Sequence, residues 1–107
     1  MILLSRIRVR PGCEAQFEVA IATLYAAMAA SEPGCLQNVM HRSLGGPPGA
    51  GAFAGVAAGD YVFYEVYASE ADGRAHPATP HFAAFMAEVD SLIDGPIVLE
   101  FLDELAR

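Results

Sequence analysis

The chain has no lysine and no tryptophan, only two cysteines and three histidines, and charged residues make up just 18% of its 107 positions. Six arginines are its only fixed cations against thirteen acids, so the formal net charge is -7. Binding nucleic acid requires Lys or Arg to neutralise phosphates, and this balance excludes such a partner. The one basic stripe is Arg6, Arg8 and Arg10, placed on one side of a strand by their alternate spacing. A solvated strand face, or ion pairs with nearby acids, accounts for it. Long apolar runs are missing as well. The longest, Val19 to Ala30, is broken by Thr23 and bounded by Glu18 and Ser31, short of the roughly 20 residues a membrane span needs. The arginines after Met1 also break any signal-peptide core. Cys13 and Cys35 bracket a predicted helix of about 17 residues, which holds its ends about 25 Å apart. A disulfide needs its Cα atoms within about 7 Å. Two free thiols fit a reducing compartment, so a cytoplasmic protein that enters no membrane is expected.

What the chain does have is apolar residues, 54% of the total. A folded monomer of this mass exposes about 5,700 Å², from about 16,400 Å² unfolded, and so buries about 65%. So small a body has little room for that much apolar side chain. Twenty alanines absorb part of the excess. The rest calls for a second buried face, which a second copy of the chain would supply most simply.

Periodicity locates that face. Ile2 to Arg10 alternates as a strand, with Leu3, Ser5, Ile7 and Val9 on one side. Pro11-Gly12 ends it. Phe17, Ile21, Leu24 and Met28 then form one helix face, and Ser31-Glu32-Pro33-Gly34 stops that helix. Cys35 to Arg42 reads as a second strand, with Leu36, Asn38, Met40 and Arg42 on one side. Residues 43–59, rich in Gly, Ala and Pro, read as a long loop. In Tyr61 to Tyr67 both sides are apolar or aromatic, as in a strand covered twice. Ser69-Glu70-Ala71-Asp72 resembles a capping box. Thr79-Pro80 starts another helix, whose face is Phe82, Phe85, Met86, Val89 and Ile93 and which Asp94-Gly95-Pro96 closes. Ile97 to Leu105 is the last strand. The order predicts one α+β domain over 1–107, a ferredoxin-like βαββαβ fold with an antiparallel sheet.

Four segments carry a resemblance. They are Arg10-Pro11-Gly12 with Glu14 and Phe17; Glu32-Pro33-Gly34-Cys35-Leu36; Tyr64-Glu65-Val66-Tyr67; and His76 followed by Thr79-Pro80-His81-Phe82 and Phe85. In this order, over nearly the whole chain, they resemble the antibiotic biosynthesis monooxygenases, dimeric α+β barrels that include small quinol monooxygenases. The resemblance implies a homodimer with facing sheets and a pocket between sheet and helices in each subunit. It implies a monooxygenase that uses neither flavin nor metal. A small aromatic quinol or polyphenol is deprotonated, and its anion reduces dioxygen. Three features depart from the pattern: Tyr67 stands where a Trp is common, Gly73 where a larger apolar residue is, and the loop from Ser43 to Gly59 is longer than the family's. The missing Trp also argues against the haem degradation found in relatives.

Candidate catalytic residues are His76, His81 and Glu65. Both histidines lie in the matching motif, and a neutral imidazole at a helix start can act as a base. The alternative for His81 is simple packing there. Glu65 lies mid-strand between Phe63 and Tyr67, so it either faces a pocket and supports a histidine or forms an ion pair with Arg42 or Arg74. Asn38, Tyr67, Phe63, Phe82 and Phe85 are candidate substrate contacts; core packing is the other role open to the aromatics. His76, His81 and Glu65 make the count for a two-histidine, one-carboxylate metal triad. Pro77 and Pro80 keep the two imidazoles off one helix, so no metal is expected. Two other functions fit the scaffold: a non-catalytic dimeric barrel that binds a small ligand, and an isomerase or lyase that needs no oxygen.

Overall fold

The computed structural model describes residues 1–47, 49 and 51–107. Pro48 and Ala50, inside the expected 43–59 loop, lie outside the described residues. The elements run β1 (Ile2–Ile7), α1 (Glu14–Ser31), β2 (Cys35–Arg42), β3 (Tyr61–Tyr67), α2 (Glu70–Ala75), a 3-10 turn (His76–Ala78), α3 (Pro80–Val89) and β4 (Val98–Leu102). The four strands make one antiparallel sheet in the order β2-β3-β1-β4, the expected ferredoxin-like arrangement.

Helices cover one face of the sheet. Phe17, Ile21, Leu24 and Met28 of α1 are buried as their spacing requires, against Ile7, Tyr61, Phe63, Phe85 and Val89. On β3, Tyr61, Phe63, Glu65 and Tyr67 face this core, while Val62, Tyr64 and Val66 are only half buried. No helix among the described residues covers that second side. The molecule is a slab of 45 × 40 × 18 Å.

Several boundaries differ from those expected, each because the chain changes partner. β1 ends at Ile7 rather than Arg10. Beyond it Arg10 donates to the Leu92 carbonyl at 2.8 Å, Asp94 donates to that of Arg8 at 2.8 Å, and Val9 bridges Ile93. The same pairing draws Ile93 out of the helix, so α3 ends at Val89. β4 stops at Leu102, opposite Ile2, the first residue of β1. In β2 a register shift sets Cys35 opposite Tyr67, so Cys35 shares the core side with Asn38 and Met40, and Leu36 is turned out and exposed. The loop begins as a narrow antiparallel extension: Ser43 donates to Asp60, Gly59 to Ser43, and Gly46 to Val56. Arg6 and Arg8 both pair with Asp60, at 3.5 and 3.2 Å. Cys13 and Cys35 are free thiols.

Gly73 also has its reason: a Cβ there would meet Met1 and lie 3.3 Å from the Tyr67 ring. Thr79 ties together the two segments that carry the histidines. Its hydroxyl donates to the His76 carbonyl at 2.8 Å and accepts from the Phe82 amide at 3.3 Å, which caps α3. Thr79→Ala is expected to cost about 1 kcal/mol, as loss of a helix cap does, with Thr79→Ser near wild type; chemical denaturation measures both.

Candidate active site

Three elements converge on one carboxylate. Glu32 caps the end of α1, held by its own amide on Met28. His76 opens the 3-10 turn, and His81 lies in the first turn of α3. His76 Nδ1 lies 2.9 Å from Glu32 Oε2, and His81 Nε2 lies 2.5 Å from the same oxygen. All three side chains are largely buried, with 10% of Glu32, 4% of His76 and 15% of His81 exposed. A carboxylate only accepts hydrogen bonds, so each imidazole must donate. The His76 proton therefore sits on Nδ1, and its Nε2 is left as the acceptor. That Nε2 has no hydrogen-bond partner among the described residues, and His76 lines the main cavity. The Phe82 ring packs edge-on against His76 at 5.0 Å and the Tyr67 ring lies at 6.1 Å.

The cavity, about 290 Å³, lies between the sheet and helices α1 and α3. Its walls are mainly apolar: Leu3, Ile21, Phe63, Phe82, Phe85 and Leu99 are among them. The polar groups are few: Ser5, Tyr25, Glu65 and His76. Glu65 accepts a hydrogen bond from the Tyr67 hydroxyl at 2.7 Å. Burial pushes its carboxyl above the usual range, partly offset by that hydrogen bond and by His76, while Glu32 adds to the rise. The Tyr25 hydroxyl is buried with no partner among the described residues. Its pKa is raised, first by burial and then by Glu65 and Cys35.

The expected site residues thus divide. Glu65, His76, Phe63, Phe82 and Phe85 surround the cavity. His81 does not line it and is linked to it only through Glu32 and His76. Tyr67 is fully buried beneath Glu65 and His76. Asn38 lines a smaller cleft with Tyr25, Met28 and Cys35, and its amide lies 3.7 Å from the Met28 sulfur. Neither arginine reaches Glu65: Arg42 pairs with Tyr61 and Glu18, and Arg74 with Glu70. The carboxylate that meets both histidines is Glu32, not Glu65. The imidazoles do come from different elements, as the prolines imply, yet the 3-10 turn brings their centroids to 6.3 Å. Sequence reasoning missed Glu32 and Tyr25. Glu32 stood in the Glu-Pro-Gly turn, where stopping a helix already explained it. Tyr25 follows Leu24 on the buried side of α1.

The raised Glu65 pKa has a consequence for stability. The folded state binds this proton more tightly than the unfolded chain. Its contribution is therefore complete below the unfolded value of about 4.3 and is lost as pH rises through the folded value. Glu65→Gln keeps an acceptor for Tyr67 without the buried charge. The variant is expected to melt at or near the wild-type temperature at pH 4 and above it at pH 8, as calorimetry would show.

The family model described as antibiotic biosynthesis monooxygenase matches residues 1–50 and 54–88. Among solved structures, a Caulobacter crescentus protein named as a candidate antibiotic biosynthesis monooxygenase is similar at TM-score 0.81 and 30% identity, over 98% of this chain and 89% of that one. A Nitrosomonas europaea protein of similar name aligns at TM-score 0.77 and 19% identity, over 98% of both chains. A Mycobacterium tuberculosis protein aligns at 0.72 and 20%, over 98% and 97%. These last two share the fold. No curated protein matches the chain significantly. No helix of the described residues is long and apolar enough to cross a membrane.

Proposed function

The chain belongs to the antibiotic biosynthesis monooxygenase family, and on that premise we propose that it oxidises a small aromatic quinol or polyphenol with dioxygen, without a cofactor. One observation carries the proposal: Glu32 holds His76 Nδ1, leaving Nε2 as an unpaired acceptor on a residue that lines an apolar cavity. The phenolic proton passes to His76 Nε2. The cavity walls are mainly apolar, so the anion is poorly solvated and gives up an electron readily. Dioxygen takes that electron, and the resulting superoxide joins the ring at a C–H carbon, para to the oxygen in a phenol with that position free and beside an oxygen in a quinol. The peroxide then loses water. Per turnover, a phenol with a free para C–H plus one O₂ becomes a quinone plus one H₂O, and a quinol with a free ring C–H plus one O₂ becomes a hydroxyquinone plus one H₂O. One oxygen atom enters the ring and the other leaves as water, and the substrate supplies all four electrons. The volume is at the small end of ligand pockets, which begin at about 300 Å³, and suits one or two fused rings. Tyr25 and Glu65 are the groups available to hold a substrate oxygen.

The test is oxygen uptake with a panel of hydroxylated benzenes and naphthalenes, using ¹⁸O₂. One labelled oxygen per quinone, one O₂ per product and no hydrogen peroxide are expected. No turnover across the panel, peroxide release, or equal conversion under anaerobic conditions would each overturn the assignment.

The working form proposed is a homodimer. The open sheet face carries Ile2, Leu4, Val39, Val62, Tyr64 and Val66, and a second copy would cover it. The free thiols of Cys13 and Cys35 favour a reducing, cytoplasmic setting.

A further inference from the structure

We infer that Glu32, His76 and His81 form a binding site for a divalent transition-metal ion of the zinc or cobalt type, on the side of His76 remote from the cavity, and that the ion switches off the base. The donor set is two imidazole nitrogens and one carboxylate oxygen, all within 4.8 Å of one another. Such a set suits zinc, cobalt or iron rather than magnesium or calcium, which prefer oxygen alone. Zinc at about 2.0–2.1 Å from each donor separates tetrahedral ligand atoms by about 3.4 Å. The present separations from the shared oxygen, 2.9 and 2.5 Å, reach that by opening less than 1 Å, and the two nitrogens, within 4.8 Å of each other, by closing up to about 1.4 Å, both through side-chain rotation. The donors are held in advance: Glu32 by the end of α1, His76 by Thr79 and its aromatic neighbours, and His81 by the first turn of α3. Glu32 and His81 keep a little exposure, which gives an ion a way in and a water a fourth position. The net charge of -7 favours cation uptake.

The consequence lies in His76. Its coordinating atom is Nδ1, which the ion can use only without its proton. The imidazole proton then sits on Nε2, on the other side of the ring. The atom that accepted a proton from substrate becomes a donor, and the base is gone. This switching step rests on the function proposed above; the metal site does not.

Tag-free, chelator-treated protein titrated with zinc chloride by calorimetry is the test. One ion per chain is expected. Glu32→Gln and His81→Ala should each weaken binding by more than the roughly 10–100-fold that loss of an outer-shell partner costs. His41→Ala should change nothing, because His41 is exposed on the opposite sheet face, against the Val62 carbonyl. Should a variant fail to fold, ¹⁵N spectra of the wild-type imidazoles decide the matter. Zinc should shift His76 and His81, move the His76 proton from Nδ1 to Nε2, and leave His41 alone. Absence of saturable binding, or binding lost in His41→Ala but kept in the other two variants, overturns the site. Turnover unchanged at full zinc occupancy overturns the switch. Calorimetry needs no substrate, so a protein inactive on every phenol would still report on the metal.

Discussion

Replacing Glu32 by glutamine is expected to lower turnover of a phenolic substrate by about 10²–10⁴-fold, the range a positioned general base contributes. Glu32 does not line the cavity, so its effect must pass through His76. The carboxylate accepts from both imidazoles on Oε2, with Oε1 also 3.1 Å from His76 Nδ1; a glutamine keeps one oxygen and sets an N–H donor against His76 Nδ1 or against the shared position. His76 is then free to rotate or to place its proton on Nε2, and the charge that stabilises the imidazolium is gone. The loss should fall on kcat with KM nearly unchanged, since the cavity walls are untouched. His76→Ala should lose at least as much and regain activity with added imidazole, which can enter the space vacated beside the cavity. Glu32→Gln should gain nothing from imidazole, because its base is misplaced rather than missing. Glu32→Asp tests reach: it keeps the charge but withdraws the oxygens by about one methylene, so it should lie between wild type and glutamine. A melting temperature near wild type separates this from a collapse of the α1 terminus, whose cap is made by the Glu32 backbone amide and not its side chain. Equal kcat in Glu32→Gln and wild type would remove Glu32 from the mechanism.

Local chemistry made most of the fold legible. Phe17, Ile21, Leu24 and Met28 mark the inner face of α1, and alternation marks Tyr61–Tyr67. Ser69 and Thr79 each accept from an amide three residues on, as their motifs imply. The differences arise where one position has two possible partners. Val9 and Ile93 each continue a local period, yet they pair with each other. The shift at Leu36 involves a single residue, which alternation cannot register. The site shows the same division. His76 and His81 were visible because both lie in the matching motif, where two prolines break the chain. Glu32 was hidden because the turn vocabulary of Glu-Pro-Gly explained it already, and its partners lie 44 and 49 residues away. That Glu65 and Tyr67 share a side follows from their spacing; that the phenol donates to the carboxylate follows only from what else crowds the core.

The second large effect is expected from one charge at the centre of the open sheet face. Leu4→Asp should convert the proposed dimer into a monomer. Leu4 sits on β1, one of the two central strands, directly opposite Tyr64 of β3 and Glu100 of β4. The chain exposes 6707 Å², against about 5,700 Å² expected for a monomer of its mass. The excess is about 1,000 Å², and a standard interface buries about 800 Å² per partner. The radius of gyration, 14.9 Å, likewise exceeds the roughly 13 Å of a globular chain this long. A two-fold interface brings equivalent positions of the two copies to the same patch, so each new carboxylate would be desolvated against an apolar surface with its symmetry mate nearby. Burying an unpaired charge at an interface costs about 2–5 kcal/mol, or about 30- to 4,000-fold in the dissociation constant. Val19→Asp makes a similar chemical change on the solvent side of α1, where Val19 is already 64% exposed, and should leave the assembly unchanged. Sedimentation equilibrium reads both. A wild type that stays at 11.3 kDa at micromolar concentration would leave the apolar face of β1 and β3 unexplained and undo the dimer.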